Sequence, residues 1–174
     1  MPKLVTVQRQ EVELEKAQQY VKTHMLFPSG LLGLICVISS AAALVYQFVT
    51  ETYGVQAFVE TTGLLAAGAL LGWGQTCYHR YLLREFPGYF AGRMRAFERK
   101  GTKKSKKDIA AVQLDHRGRS LVPLGYVLGI GVLLGLSALS LSSGEVDKVA
   151  AVMMPWAGFF WAKLFFWRRV LRGK

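Results

Sequence analysis

Acidic residues are scarce: this 174-residue chain has 11 Asp and Glu against 22 Lys and Arg, a formal net charge of +11. Along four stretches charge of either sign is almost missing. Residues 23–50, 61–79 and 120–144 contain no Lys, Arg, Asp or Glu, and residues 149–167 contain only Lys163. A membrane-crossing helix needs about 20 mostly apolar residues. The gaps in charge therefore predict four spans, near residues 27–49, 61–83, 121–142 and 149–167. With 52% hydrophobic residues, the chain reads as a single membrane domain over residues 1–174, with no room for a soluble enzymatic domain beside it.

Other absences narrow the function. The only cysteines, Cys36 and Cys77, are too few for a disulfide framework and their spacing fits no metal motif, so both read as small buried hydrophobes. No nucleophile-base arrangement, paired carboxylate, phosphate-binding Gly loop, HExxH or CxxC occurs, so enzymatic activity is not expected. No acidic group lies near the middle of a span, where proton or sodium coupling would need one. A cleavable signal is not expected, because the first apolar run begins late, is long and follows a mixed-charge segment. Glu11, Glu13 and Glu15 argue against a transit peptide.

What is present is strongly asymmetric. The segment from Arg80 to Arg119 holds twelve of the basic residues, and Arg168, Arg169, Arg172 and Lys174 follow the last span. The other two connections carry Glu51, Glu60, Glu145 and Asp147 against Lys148. Basic loops stay on the cytoplasmic side. The expected fold is therefore an all-α integral membrane protein of four transmembrane helices, paired as two hairpins, with both termini in the cytoplasm. The expected location is a bacterial cytoplasmic (inner) membrane.

Residues 1–25 read as a cytoplasmic lead-in with helical periodicity at Val7, Leu14 and Val21, either a docking helix or an extension of span one. Pro28 marks where span one starts or bends. Within the basic cytoplasmic loop, residues 84–120, Pro87 precedes Tyr89, Phe90, Met94 and Phe97 on one helical face, with Arg93, Arg95, Arg99 and Lys100 elsewhere. That is the pattern of an amphipathic helix in the headgroup region. Lys103, Lys104, Lys106 and Lys107 extend the basic surface, which suits acidic protein surfaces or anionic lipid headgroups rather than nucleic acid.

Two patterns suggest internal order. LFPSG and LVPLG open spans one and three, and Trp73, Arg80, Leu83 and Arg84 match the spacing of Trp161, Arg168, Leu171 and Arg172. Duplication would give this, but so would the ordinary composition of membrane helices. Gly68 with Gly72, Gly125 with Gly129, and Gly131 with Gly135 are each four residues apart, so each pair clears a strip for close helix approach. Spans two and three are accordingly the expected packed centre, against each other or against another chain.

Few polar groups could carry chemistry. Lys163 lies about one turn from Arg168 and can snorkel. Glu60 and Lys148 could pair or stay solvated, and Gln47, Gln75, Ser39, Ser40 and Thr76 could bond between helices. His24, His79 and His116 fall at the cytoplasmic interface. They are the only candidates for haem or metal, but no cofactor beyond bound lipid is expected. The expected function is a non-catalytic accessory or structural subunit of a larger membrane complex, with other membrane subunits and anionic lipids as partners. A small oligomeric transporter or channel is the alternative, and a haem- or metal-binding membrane protein the third reading.

Overall fold

The structure, a computed structural model, describes residues 2–98 and 121–172. Arg99, Lys100, Lys103, Lys104, Lys106, Lys107 and His116 lie outside those residues, as does the apolar run 109–114. Among the described residues every regular element is helical. They are α1 (Pro2–Tyr20), a π-helical stretch (Val21–Leu26), α2 (Phe27–Val49), α3 (Val55–Glu85), α4 (Pro87–Glu98), α5 (Leu121–Ser143) and α6 (Lys148–Arg172). Four helical segments are long and apolar enough to cross a membrane, within Glu11–Val49, Val55–Glu85, Leu121–Ser143 and Lys148–Arg168. Large apolar side chains stand exposed along them, including Phe48 at 73%, Val55 at 82% and Leu139 at 68%. Such a surface suits hydrocarbon, and the chain is an integral membrane protein.

The lead-in and span one form one unbroken helical run. Proline in a helix interior lacks an N–H and its ring crowds the carbonyl four residues back, which for Pro28 is that of His24. Immediately before it the chain widens into the π-helical stretch, and Phe27 N–H bonds to Lys22 O, five residues back. The extra residue per turn relieves the crowding without ending the helix. Span two starts earlier than the expected residue 61. Helix α3 begins at Val55, its first turn closed by Phe58 N–H to Gly54 O at 3.1 Å, and carries Gln56 and Glu60 inside it.

Short turns join the spans. Glu51 takes a left-handed conformation (φ 57°), and Thr50 and Thr52 hydroxyls donate to Gln47 O at 3.2 Å each. Gly144, also left-handed (φ 72°), ends α5, a position where a Cβ is disfavoured. Asp147 then caps α6, accepting from Val149 N–H at 2.8 Å. Pro87 opens α4 in the first turn, where its missing N–H costs nothing.

The chain divides into two compact units, residues 1–27 with 77–119 and residues 28–76 with 120–174. In the first, α1 packs on α4. Ala17 and Val21 are buried, as are Phe90, Ala91 and Met94 of α4 and Leu82 and Leu83 of α3. Tyr20 and Phe90 rings lie 6.0 Å apart. Phe90 and Met94 of the expected apolar face of α4 are thus covered by protein, the lead-in helix supplying small and apolar residues at Ala17 and Val21. In the second unit, Ala57, Val146, Ala150 and Ala151 form a buried cluster with Ala43, Leu44 and Tyr53 against it. This cluster joins the residues flanking both short turns.

Candidate functional site

Helix α6 is the hub of the second unit, and glycine is what lets its neighbours reach it. A Cβ added at Gly68 would run into the Pro155 carbonyl oxygen, with Phe159 N at 3.0 Å, and one at Gly72 into the Phe159 carbonyl oxygen, with Phe159 Cα at 3.1 Å. From the other side, a Cβ on Gly158 would strike the Leu65 carbonyl oxygen, with Ala69 N at 3.1 Å. Three glycines on two helices therefore interlock backbone against backbone. The partners advance together, Gly68 to Pro155 and Gly72 to Phe159, so α3 and α6 run in the same sense. Dispersion contacts between backbones, not side-chain volume, hold this interface.

On the other flank of α6, a Cβ at Gly33 would sit 3.0 Å from Phe160 Cβ, and one at Gly30 would lie 3.7 Å from Leu164 Cδ2. Ser29, Gly33, Cys36, Ser40 and Gln47 form the buried face of α2. This strip has no pair of glycines four residues apart, the spacing that marks the strips of α3 and α5. The available signal was small or polar residues at 29, 33, 36 and 40, a helical spacing in an otherwise bulky span. Cys36 is buried as expected, whereas Cys77 is exposed, because α3 turns that side away from its packed strip.

Helix α5 behaves differently. Leu133, Ser137 and Ser140 are its buried residues. A Cβ at Gly129 would only touch Leu71 Cδ2 at 4.0 Å, and at Gly125, Gly131 and Gly135 it would meet nothing within 4 Å. Gly131, Gly135, Ala138 and Ser142 fall at helical spacing on the side opposite Leu133 and Ser137, and all four are exposed. The close approach in this chain is thus between spans two and four. In span three no described residue lies within 4 Å of a Cβ placed on Gly131 or Gly135.

Polar groups gather at the turn end of the second unit. Glu60 Oε2 accepts from Ser140 Oγ at 3.0 Å and Ser143 Oγ at 2.8 Å, tying α3 to α5, with Gln56 Nε2 3.4 Å from Oε1. Lys148 is not its partner. Gln47 Nε2 donates to Glu145 O at 3.0 Å, joining α2 to the α5–α6 turn. Of the other candidates for bonds between helices, Ser40 and Thr76 donate instead to their own helices, at Cys36 O and Gly72 O. Gln75 Oε1, Ser137 Oγ and Trp167 Nε1 are buried without a hydrogen-bond partner among the described residues. Lys163 Nζ lies 5.8 Å over the Phe159 ring.

In the first unit, Arg95 Nη2 pairs with Glu13 Oε1 at 3.3 Å, and the Arg93 guanidinium lies 4.7 Å over the Tyr89 ring. Two of the expected docking cations therefore have partners inside the unit. His24 stacks on Tyr20 at 5.0 Å and His79 lies 5.8 Å from the Tyr78 ring. Among the described residues, no group of three or more His, Cys, Asp or Glu is placed to hold a metal ion.

The geometry defines a class, an all-helical integral membrane protein whose second unit packs through glycine-cleared faces. No protein-family model, curated protein or solved structure matches the chain.

Proposed function

We propose that this chain is a non-catalytic accessory or structural subunit of a larger membrane protein complex. In this reading the four spans form two hairpins in a bacterial cytoplasmic membrane, with both termini and the basic loop on the cytoplasmic side. Other membrane subunits and anionic lipids are its partners, and no bound cofactor is needed. One observation carries the reading: the Gly131, Gly135, Ala138 and Ser142 strip of α5 is left uncovered, while comparable glycines on α3 and α6 are used within the chain. Lipid tails fill a small-residue cleft less well than a partner helix does, because close backbone approach gains dispersion contacts along its whole length.

Two experiments test the reading. After mild solubilisation of a tagged chain, wild type should co-purify with stoichiometric partner subunits, and Gly131→Ile with Gly135→Ile should lose them while inserting normally. A wild-type chain that runs as a lone monomer overturns the proposal, and a closed homo-oligomer favours the transporter reading. For orientation, cysteines placed at Gly101 and Gly173 should be labelled only from the cytoplasm and one at Glu145 only from outside, as the charge asymmetry requires.

A further inference from the structure

We propose that the exposed edge of α6 formed by Trp161, Phe165 and Arg168 is a binding site for one anionic phospholipid. The three residues are spaced four and three apart, which puts them on one face of the helix. Trp161 is 60% exposed and Phe165 62% exposed, whereas Ala157, Ala162 and Trp167 around them are buried. Between Ala150 and Arg168 these three are the exposed residues of α6, and the others are buried or half-buried. Arg168 is exposed and has no acidic partner among the described residues.

The vertical spacing fits a phospholipid. Seven residues of helix rise about 10.5 Å, enough to set the indole beside the upper acyl chain and glycerol while the guanidinium reaches the phosphate. Tryptophan favours that boundary level. Arginine presents paired N–H donors matched to phosphate oxygens. Charge complementarity selects the headgroup, because after Lys163 the chain contains Arg168, Arg169, Arg172 and Lys174 and no acidic residue. A zwitterionic lipid would bring its own cation into that field. An anionic lipid such as phosphatidylglycerol neutralises it.

The site deepens the lipid part of the proposed function and stands apart from the subunit part. Full-length chain is reconstituted in nanodiscs of phosphatidylcholine with and without phosphatidylglycerol, and lipid retained through extraction is counted by native mass spectrometry. Wild type should retain phosphatidylglycerol selectively and melt higher in its presence. Arg168→Gln should weaken that retention roughly fivefold, the factor matching about 1 kcal/mol for one basic residue at a lipid surface. It should melt like wild type in phosphatidylcholine alone, since the side chain is exposed. Trp161→Ala should also lower retention, which a purely electrostatic tail effect would not do. Equal retention by wild type and Arg168→Gln overturns the site. So does equal stabilisation by soluble inorganic phosphate, which would mark an anion site with no lipid component. Loss of selectivity in Arg168→Gln with partner co-purification unchanged counts for the lipid site alone, and a wild-type chain that is selective for phosphatidylglycerol but brings no partners counts against the subunit reading alone.

Discussion

Gly68 with Gly72 and Gly131 with Gly135 are the same motif in the same kind of apolar helix, yet one pair is sealed and the other is open. The first meets the backbone of α6 at Pro155 and Phe159, and the second meets no described residue. The difference lies across from the motif. Helix α6 offers α3 its own gap at Gly158, so the two backbones can interlock, and the face of α5 that turns inward carries Leu133, Ser137 and Ser140 instead of the Gly131 strip. A glycine pair thus reports that a backbone can be approached closely. Whether the approaching helix belongs to the same chain is decided by what the neighbours present.

The largest effect that could break this comparison is Gly72→Ile. Its Cβ would collide with the Phe159 carbonyl, and backbone on both sides leaves no flexible side chain to yield. The cost should be about 3 kcal/mol or more, the upper range of overpacking, read as a large drop in melting temperature of the purified chain in detergent. Gly131→Ile should change the same melting curve by less than about 0.5 kcal/mol, as expected for an exposed position. A comparable loss in both variants would erase the distinction between the sealed and open faces.

A smaller effect should sharpen the contrast between helices held by glycine and helices held by polar groups. Glu60 reaches across to Ser140 and Ser143, so α3 and α5 are joined by charge-assisted hydrogen bonds where α3 and α6 are joined by backbone contact. Glu60→Ala combined with Ser140→Ala and Ser143→Ala in a mutant cycle should give a non-additive loss of thermal stability, smaller than the loss at Gly72 because water screens the carboxylate. Strict additivity in thermal unfolding would show that these bonds contribute nothing beyond solvation.

Much of this was legible in the sequence, and the rest was hidden for definite reasons. Charge-free runs pointed to four apolar helices, and four are there; at α3 Glu60 made the sequence look interfacial while the helix continued through it. Pro87 and the phenylalanine spacing gave α4, but periodicity alone cannot say whether an apolar face meets lipid or protein. Ala17 and Val21 of the lead-in, the latter on its periodic strip, supply the answer for Phe90 and Met94. The Gly68 and Gly72 strip was readable as a packing face, yet its partner was not, because Pro155 and Gly158 are informative only once α6 lies beside α3. The histidines looked like a set in one dimension. In the structure His24 and His79 are each engaged with a neighbouring aromatic ring.

The smallest effect concerns the first unit, where apolar burial and charge both join α1 to α4. Phe90 is 2% exposed and packs near Tyr20, while the Arg95 and Glu13 side chains remain 43% and 28% exposed. Water and salt screen such a pair, so its net contribution should fall between about 0 and 1 kcal/mol, against about 3 kcal/mol for truncating a buried phenylalanine. Arg95→Gln should therefore leave amide hydrogen exchange in α1 and α4 close to wild type at high salt, with at most a slight loss of protection at low salt. Phe90→Ala should expose both helices at any ionic strength. The reverse order would mean that charge, not the buried strip, holds the lead-in helix in place, and the same reasoning would then have to be turned on Glu60 in the second unit.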